Sequence, residues 1–254
     1  MGRARTTPRR GRVRERDVPL VVYGANPVRE LLRSAAPVAR LCLGSGAYAA
    51  ELAAAAARRG IAVETADRAT LDRLAGSPHH QSAVAVGAPF RYASLEALVA
   101  PPRASALVLD GVQDPRNLGA ILRTARAFGV GGVVLPRDRS VGVTPVVVAA
   151  AAGLLFDLPI AQVPNLVRAM DELKQAGFWL VGLAPRDGTP VDRLERPSRP
   201  ALVAGGEGEG LRALVQRSCD FTVSIPMAPG VESLNVSVAV AVALYELVGR
   251  GPSA

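Results

Sequence analysis

Three short polar constellations stand out in a chain otherwise rich in alanine, valine, leucine, glycine and proline. The first runs from Asp110 to Ala125. Leu118, Ile121, Leu122 and Ala125 recur there at helical spacing, leaving Arg116, Ala120 and Arg123 on another face near the helix N-terminus. Arginines beside a helix N-terminus make an anion site, and their planar fork suits phosphate. The second is Gly205-Gly206-Glu207-Gly208-Glu209-Gly210. Its glycines let backbone approach a guest, but the spacing fails the dinucleotide fingerprint, because the third required glycine falls on Leu211 or Ala213. Two carboxylates in such a loop favour a cationic or hydroxyl-rich guest over a phosphate. The third is Ile225-Pro226-Met227, a loop with Pro229 and Gly230, and then Ser233-Leu234-Asn235-Val236-Ser237 at the mouth of a very apolar helix. Ser233, Asn235 and Ser237 can cap that helix, and a stiff loop displays backbone N–H and C=O groups suited to the edge of a purine, with Leu234 against the ring.

Each constellation follows an expected strand. Alternating apolar and polar patterns predict strands at 20–23, 38–43, 61–64 and 82–86, with helices at 47–59 and 69–74 and one beginning at Asn26 as cap with Pro27 in its first position. This makes a front α/β unit over 18–90. Residues 91–104, with Pro101-Pro102-Arg103, read as a linker. Beyond it strands are expected at 106–110, 132–135, 158–163, 178–183, 201–204 and 221–225. Helices are expected at 117–128, 145–152, 165–176, 210–219 and 234–248, the last buried on most sides. Such alternation predicts a mostly parallel sheet covered on both faces, which binds ligands beyond the carboxyl ends of its strands.

The net charge of +8 is placed unevenly, since residues 1–17 carry seven arginines, among them Arg9, Arg10 and Arg12, against Glu15 and Asp17. An arm so polar does not fold alone and suits a phosphate backbone. It lacks the apolar face of an interfacial helix and the apolar core of a signal peptide. The longest apolar run, 146–156, is too short to span a bilayer. Cys42 and Cys219 lie far apart in apolar surroundings and read as core residues, and His79 and His80 have no cysteine partner nearby. The expectation is a cytosolic protein without structural metal or disulfide.

Taken in order, Asn117-Leu118-Gly119-Ala120-Ile121-x-Arg123, Gly205-x-Glu207-Gly208-x-Gly210 and Ile225-Pro226-Met227 with Ser233-Leu234-Asn235-Val236-Ser237 resemble the SpoU/TrmH family of RNA 2′-O-ribose methyltransferases over 105–248. Tyr23-Gly24-Ala25-Asn26-Pro27-Val28-Arg29 resembles the start of the ribosomal-protein-like RNA-binding domain found in its rRNA-modifying branch. The resemblance implies an α/β fold: a small N-terminal RNA-binding domain and a C-terminal parallel-sheet domain, 105–254, with a deep SPOUT-like trefoil knot. It implies S-adenosylmethionine held by Gly205, Ile225, Met227, Leu234 and Asn235. It further implies a homodimer, catalysis by Asn117, Arg123, Glu207, Ser233 and Asn235, and RNA contacts from Arg116, Arg123 and the arm. In that reading Arg123 grips the phosphate beside the target ribose, Asn117 holds Arg123 or the ribose, and Glu207 orients Arg123 or Asn235. The expected substrate is 23S rRNA, for housekeeping modification or for protection against a ribosome-targeting antibiotic. Transfer RNA and a non-catalytic RNA-binding role are the alternatives.

Overall fold

The computed structural model describes residues 18–100, 104–186, 188–207 and 210–249. The arginine arm with Arg9, Arg10 and Arg12 lies outside them, as do Gly208 and Glu209.

The front unit holds β1 (Leu20–Tyr23), α1 (Ala25–Arg33), β2 (Val38–Leu43), α2 (Ala49–Ala57), β3 (Val63–Thr65), α3 (Arg68–Ala75) and β4 (Ala83–Gly87). Its sheet runs β1-β4-β2-β3, with β4 antiparallel to both neighbours. The first helix corrects the expected cap. Gly24, at φ +96°, takes the N-cap place, and Asn26 sits inside the first turn, its side-chain oxygen accepting from Arg29. A glycine can turn the chain sharply off β1 where an asparagine would be strained.

The second unit contains α4 (Leu95–Val99), β5 (Ala106–Asp110), α5 (Pro115–Ala127), β6 (Val133–Pro136), α6 (Pro145–Ala150), β7 (Ile160–Val163), α7 (Leu166–Gln175), β8 (Trp179–Leu183), β9 (Thr189–Pro190), β10 (Pro200–Gly205), α8 (Ala213–Arg217), β11 (Phe221–Ser224) and α9 (Val236–Leu244). The strand order is β7-β6-β5-β10-β8-β11-β9, and every paired neighbour is parallel. β5, β6 and β10 are buried along their whole length, as the unbroken apolar runs of a sheet covered on both faces require.

The 91–104 stretch is not a bare linker. Ala93 bridges to Ala161 beside β7, Ser94 caps α4, and Leu98 is buried in the core beneath the large sheet. The two units also pack directly, because the core cluster containing Leu20, Val22 and Leu31 continues into Leu109, Leu118 and Leu155. Gly153 lies so close to α1 that a Cβ there would meet Pro27 Cα and Glu30 Cβ at 2.8 Å. The last helix departs from its expected burial: Val236, Val240, Ala243 and Leu244 face the core, while Val238, Val242 and Tyr245 are 48%, 38% and 48% exposed. Among the described residues no helix is long and apolar enough to cross a membrane, and no three metal-ligating side chains come together.

Cys42 is buried and Cys219 half-buried, both unpaired. Burial pushes the Cys219 thiol up to about 11. Little thiolate therefore forms at pH 8, and Cys219 is expected to resist iodoacetamide in the folded protein and to react after denaturation, as read by mass spectrometry. The close approach of α5 and α6 gives a stability test. A Cβ on Gly119 would lie 2.4 Å from Ala150 Cβ and 2.7 Å from the Val147 carbonyl oxygen. Helix propensity alone favours Gly119→Ala by about 1 kcal/mol. The overlap reverses the sign, so urea unfolding is expected to show a loss of about 1–3 kcal/mol.

Candidate active site

The chain leaves β5 at Asp110, turns at Gly111 and Val112, and enters α5 through Asp114, whose carboxylate accepts from the Arg116 N–H at 2.7 Å. Pro115 fills the first helical position, where a missing N–H costs nothing. This puts Asn117 in the first turn of α5. On the other side of the molecule's switch point, β10 ends at Gly205, and the Gly206 N–H donates to the Asp110 carbonyl at 2.8 Å. Asn235 caps α9, its Oδ1 accepting from the Ser237 N–H at 2.9 Å and the Ser237 hydroxyl at 2.6 Å.

These three ends meet in one relay of side chains. Asn117 Nδ2 donates to Glu207 Oε1, and Asn235 Nδ2 donates to Asn117 Oδ1 at 3.2 Å. The order differs from expectation: Glu207 holds Asn117 rather than Arg123, and Asn117 links Glu207 to Asn235. Arg123 is not part of the cluster. Six positions beyond Asn117, it lies roughly 9 Å further along α5 and about 120° around it. Its side chain is exposed, with no ion pair among the described residues. Arg116 is likewise exposed on α5.

Beside the relay opens a cavity of about 330 Å³, within the range of small-molecule sites. Gly205, Glu207, Ile225, Met227, Ser233, Leu234 and Asn235 all line it, with Leu183, Val236 and Ala239 adding apolar wall. Glycine is obligatory at its floor, because a Cβ on Gly205 would stand 2.0 Å from the Gly210 carbonyl carbon. Glu207 is the one ionisable side chain among the described lining residues. An elongated guest with an apolar ring and a positive charge fits that chemistry. S-adenosylmethionine, an adenine ring joined to a sulfonium, has those features.

Sequence reasoning missed the pair that anchors this floor. Asp110 is buried, and its carboxylate accepts from Arg212 Nε at 2.7 Å, Arg212 Nη2 at 2.6 Å and the Arg212 N–H at 3.0 Å. The carboxylate in turn raises the Arg212 guanidinium above its ordinary value. An aspartate closing an otherwise apolar strand was the available signal. The pair also explains why α8 starts at Ala213 and not at residue 210: Gly210 is left-handed at φ +66°, and Arg212 is held in an extended conformation by Asp110.

Comparison with known proteins gives the family of the chain. Residues 104–245 match the SpoU rRNA Methylase family, and residues 21–93 match the unit described as RNA 2′-O ribose methyltransferase substrate binding. The chain belongs to the SpoU rRNA methylase family. It is 38% identical to a Staphylococcus aureus protein assigned to the TrmH family of tRNA/rRNA methyltransferases, over 89% of this chain and 94% of that protein. An uncharacterized tRNA/rRNA methyltransferase of Mycolicibacterium vanbaalenii is 40% identical over 96% of this chain and 81% of its own length. Among solved structures, the SpoU methyltransferase AviRb of Streptomyces viridochromogenes, in complex with AdoMet, superposes with a TM-score of 0.77 at 27% identity, covering 91% of this chain and 90% of that one. This SpoU protein is therefore an RNA methyltransferase whose cofactor is S-adenosylmethionine.

Removing the arginine from the anchoring pair orphans a buried carboxylate. Arg212→Ala is expected to cost about 1–3 kcal/mol in urea unfolding, and adding Asp110→Ala should recover part of that loss.

Proposed function

We propose that this SpoU protein transfers the methyl group of S-adenosylmethionine to the ribose 2′-hydroxyl of one nucleotide in 23S rRNA. The observation carrying this reading is the front unit, a separate α/β layer similar to the substrate-binding unit of RNA 2′-O ribose methyltransferases and packed directly on the catalytic unit. A large structured RNA is read by shape and distributed contacts, which a second unit and an arginine arm can supply.

S-adenosylmethionine supplies an electrophilic methyl group on a positively charged sulfur. A ribose 2′-oxygen that took this methyl group would leave the sulfur neutral and its own proton still to be removed. The chain contributes alignment. Ile225, Met227, Leu234 and the Gly205 backbone would hold the cofactor, and Ser233 and Asn235 would shape the space between it and the ribose. Glu207 fixes the Asn117 amide, and Asn117 fixes Asn235, so neither amide can rotate away from the incoming ribose. Arginine does not surrender its proton in proteins, so Arg123 acts electrostatically on the adjacent phosphate and the 2′-oxygen, and the proton goes to phosphate or water.

Arg123 is exposed and takes no part in the relay of its own chain, and Val238 and Val242 of α9, with Tyr245 just beyond it, are partly exposed. Both features support a homodimer, in which the apolar face is covered and Arg123 serves the partner's site. The close crossing of Gly205 and Gly206 with Gly210 and Gly111 is read as part of a deep trefoil knot.

Arg123→Ala is expected to abolish methyl transfer while S-adenosylmethionine affinity, by calorimetry, stays within about twofold of wild type. Leu234→Arg should remove cofactor binding altogether. Weak cofactor binding by the first variant, or normal binding by the second, would contradict these roles. The substrate is tested with labelled S-adenosylmethionine on 23S rRNA, 16S rRNA and tRNA transcripts and by mapping the 2′-O-methyl group. A single site in 23S rRNA is expected, and modification of tRNA alone would overturn the choice of RNA.

A further inference from the structure

The cofactor cavity has two nearly identical guests to tell apart. S-adenosylmethionine carries a sulfonium, and the spent donor, S-adenosylhomocysteine, carries a neutral thioether in its place. They differ by one methyl group and one positive charge. A wall of Leu183, Ile225, Met227, Leu234 and Val236 meets that charge only as a penalty, because a cation entering apolar surroundings loses hydration. Walls of this kind alone would favour the spent donor over the fresh one.

The polar groups at and beside the cavity differ in what they can still accept. Asn235 Oδ1 already takes the Ser237 N–H and the Ser237 hydroxyl, and Asn117 Oδ1 takes an Asn235 N–H. The start of α9, at Asn235 and Val236, is the positive end of a helix dipole and works against a cation. Arg186 and Glu232 adjoin the lining residues Pro185 and Ser233, but both are exposed and neither lines the cavity. Glu207 is different. Its Oε1 accepts from Asn117, which holds the carboxylate at the wall, while Oε2 makes no hydrogen bond among the described residues. A fixed negative oxygen is thus left over to offset the penalty that the apolar wall imposes on a cation.

We propose that Glu207 is the residue by which this cavity prefers the charged donor to the neutral spent donor, and so favours exchange of one for the other after each turnover. The inference rests on S-adenosylmethionine as the methyl donor and is independent of which RNA is methylated. It gives Glu207 a role separate from its bond to Asn117: that bond aligns the relay, whereas the charge selects the donor. The attraction exists for a sulfonium and not for a thioether, so it stabilises the complex before methyl transfer and not after it. Because the Glu207 side chain is exposed, the discrimination is a few-fold rather than absolute.

The test is calorimetric binding of S-adenosylmethionine, S-adenosylhomocysteine and sinefungin to the full-length protein, with no RNA present. Sinefungin carries a protonated amine where the sulfonium stands, so it separates charge from the methyl group itself. Wild type is compared with two variants. Glu207→Gln can still accept from Asn117 but has lost its charge, and Glu207→Asp keeps the charge but is one methylene too short for the same bond. Glu207→Gln is expected to bind S-adenosylmethionine and sinefungin about fivefold more weakly, with S-adenosylhomocysteine affinity within about twofold of wild type. Glu207→Asp should retain a preference for both charged ligands. In the wild type, raising the salt concentration should narrow the gap between charged and neutral ligands. An unchanged ratio of S-adenosylmethionine to S-adenosylhomocysteine affinity in Glu207→Gln would overturn the proposal. Equal weakening of all three ligands in both variants would also overturn it, by assigning Glu207 to the shape of the cavity alone. Failure of the wild type to bind any of the three is a distinct result, which would overturn the cavity as the cofactor site and the proposal with it.

Discussion

Everything at this site hangs on how closely the backbone after β10 passes the end of β5. The Gly206 N–H bonds the Asp110 carbonyl, and side chains at Gly205 or Gly206 would collide with the Gly210 and Gly111 backbone. Such an approach leaves no room for water, so polar groups caught in it must be satisfied by the protein. The Asp110 carboxylate is the extreme case, and Arg212 answers it from the far end of the same loop. The loop is thereby tied at both ends: by backbone at Gly206 and by charge at Arg212. Glu207 lies between the ties, and its position over Asn117 follows from them.

This fixes a division of labour along α5. The helix is anchored by packing of Gly119 on α6 and by contacts with α9, so its first turn has a set place relative to Asn235. Asn117 is where all three constellations meet. Arg123, about 120° around the same helix and exposed, makes no hydrogen bond with them. One helix thus holds an amide in its own relay and an exposed guanidinium outside it. On the proposed reading, that is a physical reason for two copies to work together.

Much of the fold was legible because buried parallel strands must be nearly continuous apolar runs, and β5, β6, β8 and β10 are such runs. The elements that escaped are those whose signals are short. In α4, only Leu95, Leu98 and Val99 mark a helix, and its place is set by packing under β7. The two residues of β9 carry no pattern at all. Strand order was not legible either, since nothing local says that β10 inserts between β5 and β8. At the site, the constellations could be recognised as groups because their residue types are polar where the surroundings are apolar. The order of hydrogen bonds within them depends on distances between elements far apart in the chain: 90 residues separate Asn117 from Glu207 and 118 separate Asn117 from Asn235. The pairing of Asp110 with Arg212 was hidden for the same reason: an aspartate closing an apolar strand signals a partner, but that partner lies 102 residues away.

Glu207 also gives the cavity its sign. It stands amid apolar walls, a setting that favours a cation over an anion. Coulomb energies weaken steeply in water, so that preference acts mainly over the short distances of an enclosed site. The same carboxylate accepts from Asn117, and Asn117 accepts from Asn235, so the side chain that favours a sulfonium also sets the two amides beside it. Charge and alignment at this site therefore rest on one residue, and moving Glu207 would disturb both.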